Sequence, residues 1–146
     1  MTITEFLKAH VPFLAGLTED QVAYLAQRVE QATFKKGQTI IFKGVSVEGL
    51  HVVAQGKASV HVRPPKAQAT VKVAELGPGE VFGETSILDF CMAGATIRCE
   101  ADDTLIFVVP QSAFLKLLQA DPDLEKRTRE LIEARKAAQA AQKKPA

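Results

Sequence analysis

The densest chemistry in the sequence lies between Val81 and Arg98, which reads VFGETSILDFCMAGATIR. A strand meets a glycine turn there, followed by a run able to make one short helical turn. Backbone N–H groups at such a turn lack internal partners and suit an anion. The side chains do not complete that picture. Before Arg98 the stretch carries only the carboxylates of Glu84 and Asp89 as formal charges. An anion placed here meets neutral donors and no cation, and neutral donors make the weaker hydrogen bonds.

Other chemistries have less support. His51 stands between Leu50 and Val52, His61 between Val60 and Val62, and His10 lies far from both. A metal-binding jelly roll needs two histidines one residue apart with a carboxylate and a third histidine, so no metal site is expected. Cys91 and Cys99 flank the loop, either as groups open to oxidation or as small core residues. No serine, cysteine or carboxylate pair stands at catalytic spacing from a partner, and no enzyme is expected.

The elements that position these residues follow from pattern. Thr2 can cap a short helix through EFLKAH, which Pro12 ends. Thr18 and Gln21 form a capping box before a second helix, where Val22, Leu25, Ala26 and Val29 make an apolar stripe. From Phe34 the pattern changes to short apolar pieces, TIIF, LHVVA, ASVHV and TVKVAEL, separated by glycines. ASVHV and VKVAEL alternate with period two, and RPPKAQA between them reads as a loop because two prolines cannot sit in a central strand. ATIRCEADDTLIFVVP adds two strands around an ADD turn. Many short strands with turn signals point to a sandwich, jelly roll or barrel. QSAFLKLLQA is then a helix, and Asp121 with Pro122 starts another that carries Leu124, Leu131 and Ile132.

Composition fits an ordinary globular chain of 146 residues with net charge +1, which excludes a global bias toward nucleic acid or anionic membrane. Residues 1–124 carry 11 basic and 14 acidic side chains, a balance of −3, and the remainder carries 7 basic against 3 acidic, a balance of +4. That basic excess reads as a solvated tail. Two cysteines without a CxxC spacing point to a reducing compartment. The N-terminus lacks a basic leader region, and no apolar run approaches the ~18 residues of a membrane span. The expected location is cytoplasmic.

Six segments, PFLAGLTEDQVAYLA, FKKGQTIIFKG, LHVVAQGKASV, LGPGEVFGE, ATIRCEADDTLIFVV and FLKLLQADPDL, occur in this order. Together they resemble the cyclic nucleotide-binding domain family, which includes catabolite-activator-type regulators, protein kinase A regulatory subunits and cyclic-nucleotide-gated channels. The resemblance runs from about Phe13 to Ile132. It implies a mainly β fold, an eight-stranded β-roll (jelly roll) with N-terminal helices and one or two C-terminal helices. The expected layout is one domain over 1–134, with helices in 1–33, the roll in 34–109 and C-terminal helices in 110–134, followed by an Ala/Lys-rich tail at 135–146.

The resemblance also assigns a phosphate-binding cassette to Phe82, Gly83, Glu84, Thr85, Ser86, Ala93, Gly94, Ala95 and Thr96. Gly83 lets the backbone approach the ligand, Glu84 accepts a hydrogen bond from the ribose 2′-hydroxyl, and amides of Gly83–Ser86 and Gly94–Ala95 face the cyclic phosphate. The arginine that pairs with this phosphate in the family falls at position 93, where this chain has alanine. Arg98 alternates with Ile97 along a strand and need not face the cassette. Gly83–Glu84 is therefore either a ligand turn or a retained element of the fold, and Thr96 either faces the ligand or simply builds its strand. Phe90–Cys91–Met92 reads as a plug, a contact patch or buried packing. The Leu124–Leu131–Ile132 stripe pairs with a second subunit or docks on its own roll.

The expectation is a stand-alone regulatory or partner-binding module with weak or no cyclic nucleotide binding and no certain cofactor. About 14 residues follow Ile132, too few for a helix-turn-helix, so direct nucleic-acid binding is not expected. A protein partner or a homodimer through the C-terminal helix is. The alternative is a genuine cAMP or cGMP sensor that binds through Glu84, backbone amides and a repositioned Arg98.

Overall fold

Two short helices open the chain, and each is fixed by the residues at its start. In α1 (Ile3–His10) the Thr2 hydroxyl accepts from the Glu5 N–H while the Glu5 carboxylate returns to the Thr2 N–H. Thr18 and Gln21 repeat that reciprocal cap at α2 (Glu19–Ala26). Between them Pro12–Leu14 makes one tight 3-10 turn, the stop that the proline predicts. The computed structural model describes residues 2–14, 16–42, 44, 49–63, 68–83 and 95–143.

The roll begins earlier than the sequence pattern indicates. β1 spans Glu30–Phe34 and pairs residue for residue with Thr104–Val108, so the boundary expected at 34 moves to 30. The helical stripe through Val29 is a local signal, and pairing with a strand more than seventy residues away overrides it. The remaining strands are β2 (Thr39–Ile41), β3 (Gly49–Gln55), β4 (Ala58–Val62), β5 (Val71–Leu76), β6 (Val81–Phe82), β7 (Thr96–Cys99) and β8 (Thr104–Pro110). They form two antiparallel four-stranded sheets, β1-β8-β3-β6 and β2-β7-β4-β5, in agreement with the expected β-roll.

The alternation of side chains along the strands divides the core in two. Ile41, Val53, Ala58, Leu76, Phe82, Ile97 and Ile106 fill the space between the sheets. On the other side of the first sheet, Leu50, Val52, Phe107 and Val109 pack with Leu7, Leu14, Leu25 and Phe114 of the helices. α3 (Gln111–Ala120) buries Ala113, Phe114, Leu117 and Leu118 against this layer.

Asp121 caps α4 (Pro122–Lys143), its carboxylate accepting from the N–H groups of Asp123 and Leu124 at 3.1 and 3.2 Å. Leu124, Thr128 and Ile132 recur every fourth residue and are all buried. Leu131 packs against the same cluster as Leu124. The apolar stripe of the last helix thus docks on its own chain. The helix runs on to Lys143, so most of the stretch expected as a tail is helical, consistent with its Ala, Gln and Lys content. Among the described residues, no helix is long and apolar enough to cross a membrane.

The link from β5 to β6 carries the chain from one sheet to the other. Gly77 and Glu80 close the turn on each other, the Gly77 N–H reaching the Glu80 carboxylate at 3.1 Å and the Glu80 N–H returning to the Gly77 carbonyl at 3.1 Å. Gly79 donates to the Val53 carbonyl at 2.8 Å, and the Val53 N–H donates to Glu80 at 3.0 Å. Gly79 has φ +90°, and a Cβ there would lie far inside van der Waals contact with the His10 carbonyl oxygen. Gly37 shares the positive φ, at +91°, but faces open space. Gly79→Ala is therefore expected to lose about 3 kcal/mol or more in urea unfolding, against about 1 kcal/mol for Gly37→Ala. Equal losses would show that the backbone contact at His10 contributes nothing.

Candidate functional site

In β6, Val81 packs on the helix side and Phe82 enters the inter-sheet core, and Gly83 follows with φ +89°. Phe82 is buried and pairs across the sheet with His51. The two rings stack with centroids 4.9 Å apart and planes 26° apart. On the second sheet Ala95 is buried just ahead of β7, and Thr96 opens that strand opposite His61. The fold thus brings Phe82 and Gly83 to one wall and Ala95 and Thr96 to another. Glu84, Thr85, Ser86, Ala93 and Gly94 lie outside the described residues, as do Phe90, Cys91 and Met92.

His51 is a site residue that sequence reasoning did not single out. Its Nδ1 lies 3.1 Å from the Gly49 carbonyl oxygen. A carbonyl can only accept, so Nδ1 carries the proton and Nε2 presents a lone pair in the neutral ring. Burial pushes the imidazole below its ordinary value of 6.5, and the Gly49 carbonyl only partly opposes this. Next to the glycine turn the roll therefore holds an uncharged hydrogen-bonding group rather than a cation.

Arg98 does not fill that gap. Along β7, Ile97 and Cys99 are buried while Arg98 is exposed, so the guanidinium leaves the sheet on the side away from the core. Another cation does approach the turn. The Arg135 guanidinium, on α4, donates to the Val81 carbonyl at the start of β6. The two residues are 54 apart in sequence, and nothing local signals their contact.

On the outer face of the second sheet, Ser59 Oγ lies 2.7 Å from His61 Nε2. That is the spacing of a nucleophile and its base, contrary to the expectation that no serine has such a partner. Residues two apart on a strand share a face, which is the signal available in the sequence. Ser59 is fully buried, so the oxygen has no access to a substrate. Among the described residues, no group of three His, Cys, Asp or Glu side chains could hold a metal ion. Cys99 is a free, buried thiol that donates to the Ala101 carbonyl at 2.9 Å.

Comparison with known proteins bears on the family and the fold. The sequence model described as the cyclic nucleotide-binding domain matches residues 31–121. The cyclic AMP receptor protein of Thermus thermophilus is 28% identical over 111 residues, covering 76% of this chain and 50% of that protein. The regulatory subunit of a cAMP-independent protein kinase A from Trypanosoma brucei superposes with a TM-score of 0.78 at 26% identity, covering 88% of this chain and 46% of that one. The corresponding subunit from Trypanosoma cruzi, bound to guanosine, gives 0.72 at 25% identity, over 89% of this chain and 48% of that one. The chain spans between 11% and 50% of the length of curated relatives it matches.

The lowered imidazole of His51 fixes a sign for the effect of pH. The unfolded chain binds a proton at His51 more readily than the fold does, so stability is retained above the ordinary histidine value of 6.5 and falls as pH drops below it. His61 is shifted in the same direction and adds to the effect. Urea unfolding between pH 7.5 and 5 is expected to show a midpoint that falls on acidification, with a shallower fall in His51→Phe. An unchanged slope in that variant would mean that His51 titrates in the fold as it does in solvent.

Proposed function

The chain belongs to the cyclic nucleotide-binding domain family, and from that premise we propose that it is a regulatory, partner-binding module whose cassette holds cAMP and cGMP weakly or not at all. The observation that carries this reading is Ala93, which stands where family members have the arginine that pairs with the cyclic phosphate. A charge-assisted hydrogen bond contributes roughly 1.5–3 kcal/mol, and removing one partner of a buried ion pair costs about 3–5 kcal/mol. At about 1.4 kcal/mol per decade, the loss is roughly 10- to 3,000-fold in affinity.

Nearby groups support the reading rather than offset it. His51 is neutral in the physiological range, Arg98 points away from the core, and Glu84 adds a negative charge to the cassette sequence. The trypanosomal relative described as cAMP-independent gives further support at 26% identity. The module acts in the cytoplasm, non-catalytically, through a protein partner or a second copy. Because Leu124 and Ile132 are buried by their own chain, an assembly through α4 uses its charged outward face of Lys126, Arg129, Glu130 and Glu133.

A specific observation favours a second reading of the same cassette. The Trypanosoma cruzi relative carries guanosine, a ligand with ribose and base hydrogen-bonding groups but no phosphate. A neutral nucleoside needs no cation, and Glu84 with backbone amides suits its hydroxyls.

Isothermal titration calorimetry with cAMP, cGMP and guanosine tests both readings. The cyclic nucleotides are expected to bind more weakly than about 10 µM, and Ala93→Arg is expected to strengthen cAMP binding by about tenfold or more while leaving guanosine unaffected. Tight cAMP or cGMP binding by the unaltered chain overturns the first reading. No gain from Ala93→Arg would show that the missing arginine is not what limits the site. Absence of any heat with guanosine removes the second reading alone.

A further inference from the structure

The outer face of the second sheet carries an ordered polar layer that the cassette does not use. Thr39, Arg98, Ser59 and Glu75 stand directly opposite one another across β2, β7, β4 and β5. Thr96, His61 and Lys72 form the adjoining row. Lys36, Gly37, Thr39, His61, Arg98 and Glu100 line a cavity of about 380 Å³ over these rows. Ser59 is 0% exposed although its strand turns it away from the core, so the outer layer has a buried polar floor of its own.

The charges in this layer are unevenly matched. Glu75 is taken by Lys72 at 2.7 Å and Lys57 at 2.9 Å. Those two lysines hold its carboxyl down at about 2. Glu100 lies 4.0 Å from His61 Nε2, and Asp102 accepts the backbone N–H of Lys36 at 3.0 Å. Glu75 and Asp102 are thus engaged on the β5 side or by a neutral donor. Among the described residues, neither the Lys36 ammonium nor the Arg98 guanidinium has a carboxylate within ion-pair distance.

We propose that this cavity binds a doubly charged oxyanion, a phosphate or sulfate group, between Arg98 and Lys36, with the Thr39 hydroxyl beside them. The planar guanidinium suits two oxygens at once, and the lysine adds a point charge. His61 couples the site to pH. Its Nε2 lies 2.7 Å from Ser59 Oγ and 4.0 Å from the Glu100 carboxylate. Burial, Arg98 and Lys72 hold the imidazole below its ordinary value, with Glu100 opposing. An anion beside Arg98 offsets the repulsion that Arg98 exerts, so binding draws a proton onto His61 and tightens as pH falls.

The test uses the whole chain and amide NMR, with sulfate as first probe because its charge is constant across the range, chloride holding the ionic strength. Saturable shifts are expected at Gly37, Arg98 and Cys99, with tighter binding at pH 5.5 than at 7.5. Arg98→Gln and Lys36→Gln are each expected to weaken binding about tenfold, while Lys116→Gln, on α3, makes the same charge change and leaves it unaltered. Non-saturable shifts, or equal losses in all three variants, would reduce the effect to general screening and overturn the proposal. Inorganic phosphate and a short peptide bearing phosphoserine then distinguish the source. A peptide that binds at least about tenfold tighter than the free ion identifies a phosphorylated protein segment as the ligand, and equal binding identifies the free anion.

Discussion

The crossing from β5 to β6 is the constraint on which the rest of the roll depends. Leu76 ends a strand of one sheet and Val81 begins a strand of the other, so the connection has room for one tight turn and nothing else. Val53 meets that turn with both of its backbone groups, which ties it to the strand lying between β8 and β6. Gly79 also presses against the carbonyl that ends α1. A helix end, a strand and a sheet-to-sheet link therefore meet at one backbone position. Phe82 and Gly83 follow directly, so the geometry of the cassette wall is inherited from a contact that has no side chain on one side.

The molecule separates its electrostatics by face. Between the sheets the described groups are apolar or, in His51, kept neutral by burial. On the outside of the second sheet, ionised groups stand in rows and bond one another across strands. The resemblance to the family expects a phosphate-pairing arginine at position 93, where the sequence has alanine. The glycine turn at Gly83 and the pairing of β6 with β3 belong to the roll itself. Family membership and ligand chemistry are thus separate questions here.

What could be read from the sequence was what is local. The capping pairs Thr2–Glu5 and Thr18–Gln21, the stop at Pro12 and the cap at Asp121 each lie within a few residues of what they control. Most strands were legible from alternation, while the face taken by Arg98 was left open between the cassette and the outside, because alternation alone does not say which face is inward. β1 was not, because Glu30–Phe34 becomes a strand only by pairing with β8. The stack of His51 on Phe82 and the reach of Arg135 to Val81 depend on register and on helix docking, which no window of neighbouring residues contains. Ser59 and His61 are an intermediate case. Their spacing was visible, but the floor they make with Glu100 required knowing which face of the sheet carries the loop residue.

α4 is held at two distant points. Near its start Leu124 and Thr128 are sunk into the body, and thirteen residues into the helix Arg135 grips the carbonyl of Val81. Leu131 and Ile132 fasten the turn between these points, so the helix is a fixed splint rather than a free arm, and through Arg135 it is joined to the strand leading into Phe82.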